Sequence, residues 1–557
     1  MTTPPGTQWA LGGARINPGT VSADTARQES GAGFSRLQAL FQAIGAVRAE
    51  IKETAVICIP WMQIKHPLVR AQEEFLEGKE PGGGWTAPRA LAESLPALAY
   101  SLYLCARLLQ IRSSWSGPLR RLEGKRFDLI AKSWSVGGAA PDPGRDFYLG
   151  DLQAKLGAKG VSLLILSGDP NGRSWEMRPD PGGGPRLCEL AVAPVWAPLA
   201  ALARQWRASR HLRALAASAQ EPLVRRVAGR ASVDVLSRRI THNLLYEWVG
   251  SASTALYRPK GWLSLYEGNG WEQAIWKGVK AADPGCRTLG YQHTILLRHN
   301  LSLLEKEGWR FNIRPDAVLC LGPRTRALLE PSHPNTRCIP FGSFRSSPSA
   351  PAAGPRPEKR TILVVPEGYA WEAKTLFECA IRTARLLPDW RFILRCHPVL
   401  PFERVRGLLE ESPERQMNVE ISRERSLQEE MERSSALLYR GSSVVLYAVS
   451  AGLKPFYLDP PGEREVDPLF ELNEWKGHSP GELYRPPQSV SATPYRMWKE
   501  RVSSPEELAD ALQASAAAAP SEWQGAAAYV RDYAAPVTSE SVEQLLEAAD
   551  LRGRENP

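Results

Sequence analysis

The stretch from Trp390 to Asp459 admits few folds. It reads WRFILRCHP, then a polar connection, then SLQEEMERSSALLYRGSSVVLYAVSAGLKPFYLD. Phe392, Ile393 and Leu394 make a short apolar run from Trp390 to Arg395 that stops at Cys396-His397-Pro398, which predicts a strand with His397 at its carboxyl end. Ser426 and Glu429 form a capping box with Leu427 and Met431 at helical spacing behind it, and Ala436 to Tyr439 is a second buried-strand run. A helix crossing between two strands makes them parallel, and open parallel sheets bind ligands at their carboxyl edge. Arg440-Gly441-Ser442-Ser443 then leads into Val444, Val445, Ala448, Val449 and Gly452, which reads as a glycine turn, a hydroxyl N-cap and a short helix closed by its own glycine. Backbone N–H groups, two hydroxyls and a positive helix end would converge there on an anion. Lys454-Pro455 and the strand Phe456 to Leu458 complete a second crossover.

A chain of 557 residues exceeds what one core usually covers, so two or three domains are expected. Its 43% hydrophobic and 23% charged residues are those of a globular protein, and the net charge of +9 is spread along the chain. That excess favours anionic ligands or an anionic membrane surface only weakly, and no nucleic-acid partner is expected. The eight cysteines form no CxxC pair and no metal-ligand spacing, so reduced thiols in a cytoplasmic protein are expected. No secretory pattern opens the chain. The least polar window, Ser94 to Gln110, contains Arg107 and Pro96 and is too short in uncharged residues to span a bilayer.

Along the chain, residues 1–33 read as a loose lead-in. A helical stripe over Phe34 to Glu53 and a strand over Ala55 to Ile59 follow. Further strands are predicted at Phe127 to Ala131, Val161 to Leu166, Trp262 to Tyr266, Arg287 to Tyr291 and Asp316 to Leu321, with a loop over 171–187, an alanine- and arginine-rich helical region over 191–240, and Cys338 to Gly342 closing this half. Residues 345–360, RSSPSAPAAGPRPEKR, have a linker's composition. A first domain over 34–344 and a second over 361–480 result, the second opening with a strand from Thr361 to Val365. A helical tail over 481–557 carries capping boxes at Ser504, Ser521 and Ser541. Strands alternating with helices on both sides of the linker predict two doubly wound α/β domains.

Two such domains, a linker and a helical tail make up the GT-B architecture of glycosyltransferases. His397-Pro398 after a strand, followed by the Ser442-Ser443 turn that opens a helix, resembles bacterial sialyltransferases, polysialyltransferases and capsule transferases that use CMP-activated Kdo. Tyr266-Glu267-Gly268-Asn269-Gly270-Trp271-Glu272 followed by Gly290-Tyr291-Gln292-His293 is similar to a family of surface carbohydrate biosynthesis proteins. The resemblance covers roughly residues 125–480. Where the polysialyltransferase pattern has two acidic residues before the glycine, this chain has Glu267 alone. The resemblance implies a nucleotide-sugar donor, most plausibly CMP-linked, a glycan or glycolipid acceptor of capsule, O-antigen or lipopolysaccharide type, inversion at the anomeric carbon, and cytoplasmic or inner-membrane-peripheral placement. Teichoic-acid-type polyol-phosphate transfer and non-catalytic sugar or nucleotide binding stay open beside it.

The chemistry assigns provisional roles. An acceptor hydroxyl needs a base, for which Glu267 is the candidate, and a departing phosphate needs fixed donors, for which His397 is the candidate. Arg440, Gly441, Ser442, Ser443, Glu367 and Gly368 lie at strand ends where a donor phosphate or nucleotide would sit, and Asn269, Glu272, Gln292 and His293 where an acceptor or substrate would. Each has a plain alternative: Ser442 and Ser443 as caps, Glu267 as support for the following helix, His293 and His397 as turn residues. His-Pro recurs at His66, His333 and His397, and only His397 follows a clear strand. A phosphate held by histidine, hydroxyls and a helix end requires no cation, so no metal site and no cofactor are expected.

Overall fold

The computed structural model describes residues 23–66, 68–79, 87–135, 145–169, 173–177, 184–297, 300–303, 313–346, 357–461, 463–470, 499–515 and 520–552. Two sheets organise them. The first contains β1 (Leu129–Trp134), β2 (Leu163–Gly168), β3 (Arg186–Cys188), β4 (Gly261–Leu265), β5 (Arg287–Tyr291), β6 (Ala317–Cys320) and β7 (Arg337–Pro340), in the order β3-β2-β1-β4-β5-β6-β7. The second contains β8 (Thr361–Val365), β9 (Arg391–Leu394), β10 (Val419–Ile421), β11 (Ala436–Tyr439), β12 (Lys454–Leu458) and β13 (Glu500–Val502), in the order β10-β9-β8-β11-β12-β13. The strand pairs are parallel throughout. Both sheets follow the doubly wound order, which reverses between β1 and β4 in the first and between β8 and β11 in the second. The two-lobed α/β arrangement expected from the strand and helix alternation is therefore present.

The apolar runs become strands because both faces of each sheet are covered. All five residues of β4 and of β8 are buried. The two-residue period then divides β8: Ile362 and Val364 join the outer core of the second lobe, whereas Leu363 and Val365 join the larger core that also contains the first sheet. Ile393, Leu437, Tyr439 and Tyr457 do the same, so the inner face of the second sheet is continuous with the apolar interior of the first lobe.

Several expected boundaries are corrected. Ala55 to Ile59 is not a strand: Thr54–Ile57 is one helical turn, and its last carbonyl comes close to Gly270 of the same lobe, where a Cβ would lie 2.4 Å from the Ile57 carbonyl oxygen. A helix, Ala23–Glu50, begins inside the expected lead-in, whose first 22 residues lie outside the described ones. The loop expected over 171–187 ends in β3. The linker's 347–356 portion lies outside the described residues.

The tail is helical from Pro505 onward, yet it opens with β13, which pairs with β12 and adds a sixth strand to the second sheet. The expected boxes at Ser521 and Ser541 shift. The helices are Pro520–Tyr533 and Ser539–Ala548, and Thr538 caps the latter by accepting the Ser541 N–H at 3.1 Å. These helices leave the second lobe. Trp523 donates its indole N–H to the Val449 carbonyl at 2.9 Å in the second lobe, while the Tyr533 hydroxyl accepts the Leu296 N–H at 2.7 Å in the first. Gly322 permits this crossing, since a Cβ there would lie 2.3 Å from the Asp532 carbonyl oxygen. Val542, Leu545 and Leu546 then bury against the first sheet, with Ala549 over Gly261.

Leu545 is fully buried, so Leu545→Ala should cost about 2–5 kcal/mol of unfolding free energy through lost transfer energy and a residual cavity. Urea unfolding followed by tryptophan fluorescence checks this; a loss under about 0.5 kcal/mol, the scale of ordinary surface substitutions, would mean that the last helix is not part of the first lobe's core.

Candidate functional site

Each switch point carries a Glu-Gly loop. In the first sheet β4 runs into Tyr266-Glu267-Gly268-Asn269 and the helix Gly270–Ala282. Glu272, in that helix's first turn and fully buried, accepts the backbone N–H groups of Glu267, Gly268 and Asn269 at 3.0 Å each and the Asn269 side-chain amide at 2.7 Å. In the second sheet β8 runs into Pro366-Glu367-Gly368-Tyr369 and the helix Ala370–Leu386. Glu372, again fully buried, accepts the Glu367 N–H at 3.0 Å and, across the switch point, the Gly441 N–H at 3.1 Å. Burial and the neighbouring Glu267 charge push the Glu272 carboxyl up to about 8, and burial with Glu367 does the same to Glu372.

The two loops are one motif used twice. Glu267-Gly268-Asn269-Gly270-Trp271-Glu272 and Glu367-Gly368-Tyr369-Ala370-Trp371-Glu372 share Glu-Gly, Trp and Glu at a spacing of 100 residues. Each leaves its first glutamate at the cleft and turns its last one under the loop. Neither Glu272 nor Glu372 is placed to touch a substrate, which corrects the expectation for Glu272 and adds Glu372, a residue the sequence reading passed over.

A segment from neither sheet joins the loops. Lys65 bonds to the Asn269 side chain and lies 3.9 Å from Glu267, and His66 meets Glu367 at 2.9 Å with its ring edge-on to Tyr369. Farther along, Glu73 pairs with Arg464 in the second lobe. His66 had been set aside with the recurring His-Pro dipeptides. Its partner lies 301 residues away, so no local pattern could mark it.

On the first lobe, Glu267 is 32% exposed and receives His293 Nε2 at 3.0 Å. Burial works to raise its pKa, but the His293 hydrogen bond and charge, with Lys65 and Asn269, outweigh it and hold the carboxyl at about 2. His293 is buried behind it, with Nδ1 3.4 Å from the Tyr291 carbonyl and Tyr148 edge-on at 4.7 Å. Both imidazole nitrogens thus face acceptors, and Glu267 rather than His293 meets the cleft. Gln292 is fully buried, bonded to the Thr294 carbonyl and to the Leu321 N–H, so it braces the strand end and is removed from the substrate set. Asn269 is taken up by Lys65 and Glu272. Trp262 and Trp276 are core residues, and Trp271 packs on Trp134 at 5.4 Å.

On the second lobe His397 is exposed just beyond β9, and its Nδ1 accepts the Val399 N–H at 3.3 Å, which puts the proton of the neutral ring on Nε2. Removal of water within the cleft lowers its pKa, Glu367 opposing and Arg345 reinforcing the shift. At Gly368 a Cβ would lie 2.9 Å from the Val399 Cγ2 methyl, with the His397 ring at ordinary contact distance. Gly441 is needed where β11 meets β8: its Cβ would lie 2.5 Å from the Glu367 carboxyl carbon. Ser442 is nearly buried, and the hydroxyl N-cap expected of Ser443 is absent, the contact at that helix start being the Val444 N–H on Ser442 Oγ at 3.4 Å. Arg440 is turned inward, paired with Glu463 at 3.0 Å and bonded to the Arg464 carbonyl, which corrects its placement among the phosphate contacts.

Arg345, read from sequence only as the start of the linker, is exposed and lies over the Phe147 and Tyr148 rings at 4.6 and 4.9 Å. Among the described residues it forms no ion pair, and its charge acts on both His397 and Tyr148. Around the two Glu-Gly loops the chain thus gathers Glu267, Tyr148 and Arg345 from the first lobe and Glu367, His397 and Gly441 from the second.

No protein-family model and no curated protein sequence matches the chain. Among solved structures it is similar to the glycosyltransferase of kitacinnamycin (TM-score 0.41, 14% identity, covering 76% of this chain and 99% of that one). It is also similar to the UDP-GlcNAc 2-epimerase of Neisseria meningitidis bound to UDP-GlcNAc (0.42, 10%, 76% and 100%) and to CalG4, the calicheamicin glycosyltransferase (0.42, 12%, 78% and 100%).

A carboxylate held below its ordinary 4.5 adds stability that is present above pH 4.5 and lost as pH falls through about 2. The stability gap between wild type and Glu267→Gln should therefore be open at pH 7 and shrink steadily below 4.5. Urea unfolding at pH 7, 4.5 and 3 checks it; a gap that widens on acidification would refute the His293–Glu267 pairing.

Proposed function

We propose that this protein is a glycosyltransferase that moves a sugar from a nucleotide donor, a CMP-linked acidic sugar by resemblance, to a growing bacterial surface polysaccharide. The observation that carries the reading is that Glu267 follows β4 and His397 follows β9, at the carboxyl edges of two Rossmann sheets whose Glu-Gly loops are bridged by Lys65 and His66. Ligands of such sheets sit at that edge, and a transferase needs a base on one side of the anomeric carbon and anion donors on the other.

In this reading the acceptor oxygen attacks the anomeric carbon while the bond to the phosphate oxygen breaks. Glu267 receives the hydroxyl proton. A pKa of about 2 keeps Glu267 ionised and able to accept a proton at neutral pH but makes it a weak base, so it takes the proton only once the new bond has made the attacking oxygen acidic. His293 and Lys65 keep the carboxylate ionised and oriented. The charge that grows on the leaving phosphate is met by His397 Nε2, the Ser442 hydroxyl and Arg345, each worth roughly 10²- to 10³-fold in rate if it behaves as a preorganised oxyanion donor. This set asks for no metal ion. Glu367 and Gly368 shape the nucleotide side, with Glu367 hydrogen-bonded to His66.

The first test is a thermal-shift screen of CMP, CDP, UDP, GDP and their sugars. A cytidine nucleotide at a hundred times its dissociation constant should add about 2.7 kcal/mol of stability, and no shift with any nucleotide would overturn the reading. Response to CDP-glycerol alone would instead favour polyol-phosphate transfer, and binding with neither hydrolysis nor transfer a non-catalytic role.

The second test separates the two candidate groups. Glu267→Gln should lower turnover by about 10²-fold or more while donor affinity measured by calorimetry stays within about twofold, because the amide keeps shape and loses basicity. His397→Ala should lower transfer and donor hydrolysis together. Near-normal transfer by the glutamine variant would remove Glu267 as base, and near-normal turnover by the alanine variant would return His397 to a structural turn.

A further inference from the structure

The window Ser94 to Gln110 lies within one helix, Ala87–Ser114, which continues through Pro96. Its inward face packs through Leu104, Leu108 and Ile111, all essentially fully buried. The outward face is apolar too. Leu91, Leu95, Leu102 and Leu109 are 57%, 56%, 55% and 58% exposed, and every fully exposed position from Leu91 to Leu109 is Leu, Ala, Pro or Tyr. At a rise of 1.5 Å per residue this charge-free stripe is about 27 Å long. Glu93 and Arg107 lie half-buried at its margins, so the helix sets an apolar stripe, flanked by charge, on the surface of the first lobe, where a lipid contact would use it.

The adjacent helix, Ala197–Ser218, extends the surface and gives it a sign. Trp196 and Trp206 are 58% and 46% exposed beside it. Between the two helices runs a groove of about 620 Å³ lined by Ala90, Ser94, Trp206, Arg207, Arg210 and Arg213. Arg207 keeps 55% exposure although it reaches Glu53 at 3.7 Å. Apolar side chains in a row, indoles at their margin and guanidinium groups behind them are the layers of a bilayer interface met from the water side.

We infer that the outer face of helices Ala87–Ser114 and Ala197–Ser218 docks the protein on an anionic lipid bilayer. Leu91, Leu95, Leu102 and Leu109 enter the acyl boundary, and Arg207 and Arg210 meet lipid phosphate at the groove. Charge complementarity favours this occupant: two copies related by a two-fold axis would bring the same arginines toward one another, whereas a phosphate-bearing surface pairs with them. The net charge of +9 acts in the same direction. No helix of the described residues is long and apolar enough to cross a membrane, so the contact is with the surface. Docking is independent of the proposed transfer chemistry, and an inactive protein with an intact fold would still bind.

The test pellets the full chain with vesicles of phosphatidylcholine alone and of phosphatidylcholine mixed with phosphatidylglycerol. Association with the anionic vesicles, weakening as salt rises, is expected. Leu95→Glu with Leu102→Glu should reduce partitioning by about tenfold or more, since two leucines withdraw from lipid and two like charges replace them. Arg207→Glu with Arg210→Glu should reduce it comparably on the anionic vesicles. Melting curves confirm that these exposed changes leave the fold intact. Failure of the wild type to pellet with anionic vesicles would overturn the inference, as would undiminished pelleting of the leucine variant. A wild-type dimer in sedimentation velocity that the leucine variant converts to monomer, without vesicle binding, would assign the face to a second copy and overturn it as well.

Discussion

The site depends on two buried carboxylates that turn back on the loops before their own helices. Glu272 and Glu372 hold Glu-Gly turns whose backbone N–H groups would otherwise be unsatisfied beneath the cleft floor. A carboxylate accepting several N–H bonds is rigidly placed, and so is what it holds. The cost is electrostatic, because each buried glutamate lies near a second one, Glu267 or Glu367, that faces the cleft. The structure offsets that crowding with imidazoles: His293 meets Glu267 and His66 meets Glu367. Remove either imidazole and two carboxylates share one loop with less to neutralise them.

Much of this was legible in the amino-acid sequence, for identifiable reasons. β8 and β11 are predicted to the residue because continuous apolar runs bounded by turn residues have one good solution, a strand covered on both faces. Ala55 to Ile59 fails because a five-residue apolar run suits a buried helical turn as well as a strand, and the partner that decides, Gly270, is far away in sequence. β10 and β13 were missed because Val-Glu-Ile and Glu-Arg-Val are short, polar edge segments whose pairing is set by the sheet they join.

The site divides in the same way. Glu267 and His397 stand out in the sequence because each follows a strong strand signal, and both do lie just beyond strands, β4 and β9. Ser443, Arg440 and Gln292 were overread, since a residue's place beside a strand end says nothing about which way its side chain turns. Lys65, His66 and Arg345 were passed over for the opposite reason: they come from segments without strand signals, and only the folded chain brings them to the cleft. The repeated Glu-Gly-x-x-Trp-Glu was the one available clue, and it is visible only when the two halves of the sequence are compared.

The return of helices Pro520–Tyr533 and Ser539–Ala548 to the first lobe has a consequence for synthesis. The first sheet is complete once Pro340 has been made, yet part of its cover is encoded some two hundred residues later. At a translation rate of about 5–20 residues per second, the surface that receives Val542, Leu545 and Leu546 stays open for roughly 10–40 seconds while the second lobe emerges. The emerging second lobe must therefore fold beside an unfinished neighbour with apolar surface on view. The nascent chain is most exposed to holding chaperones and to off-pathway association during that interval, which ends only when its final helix closes over Gly261.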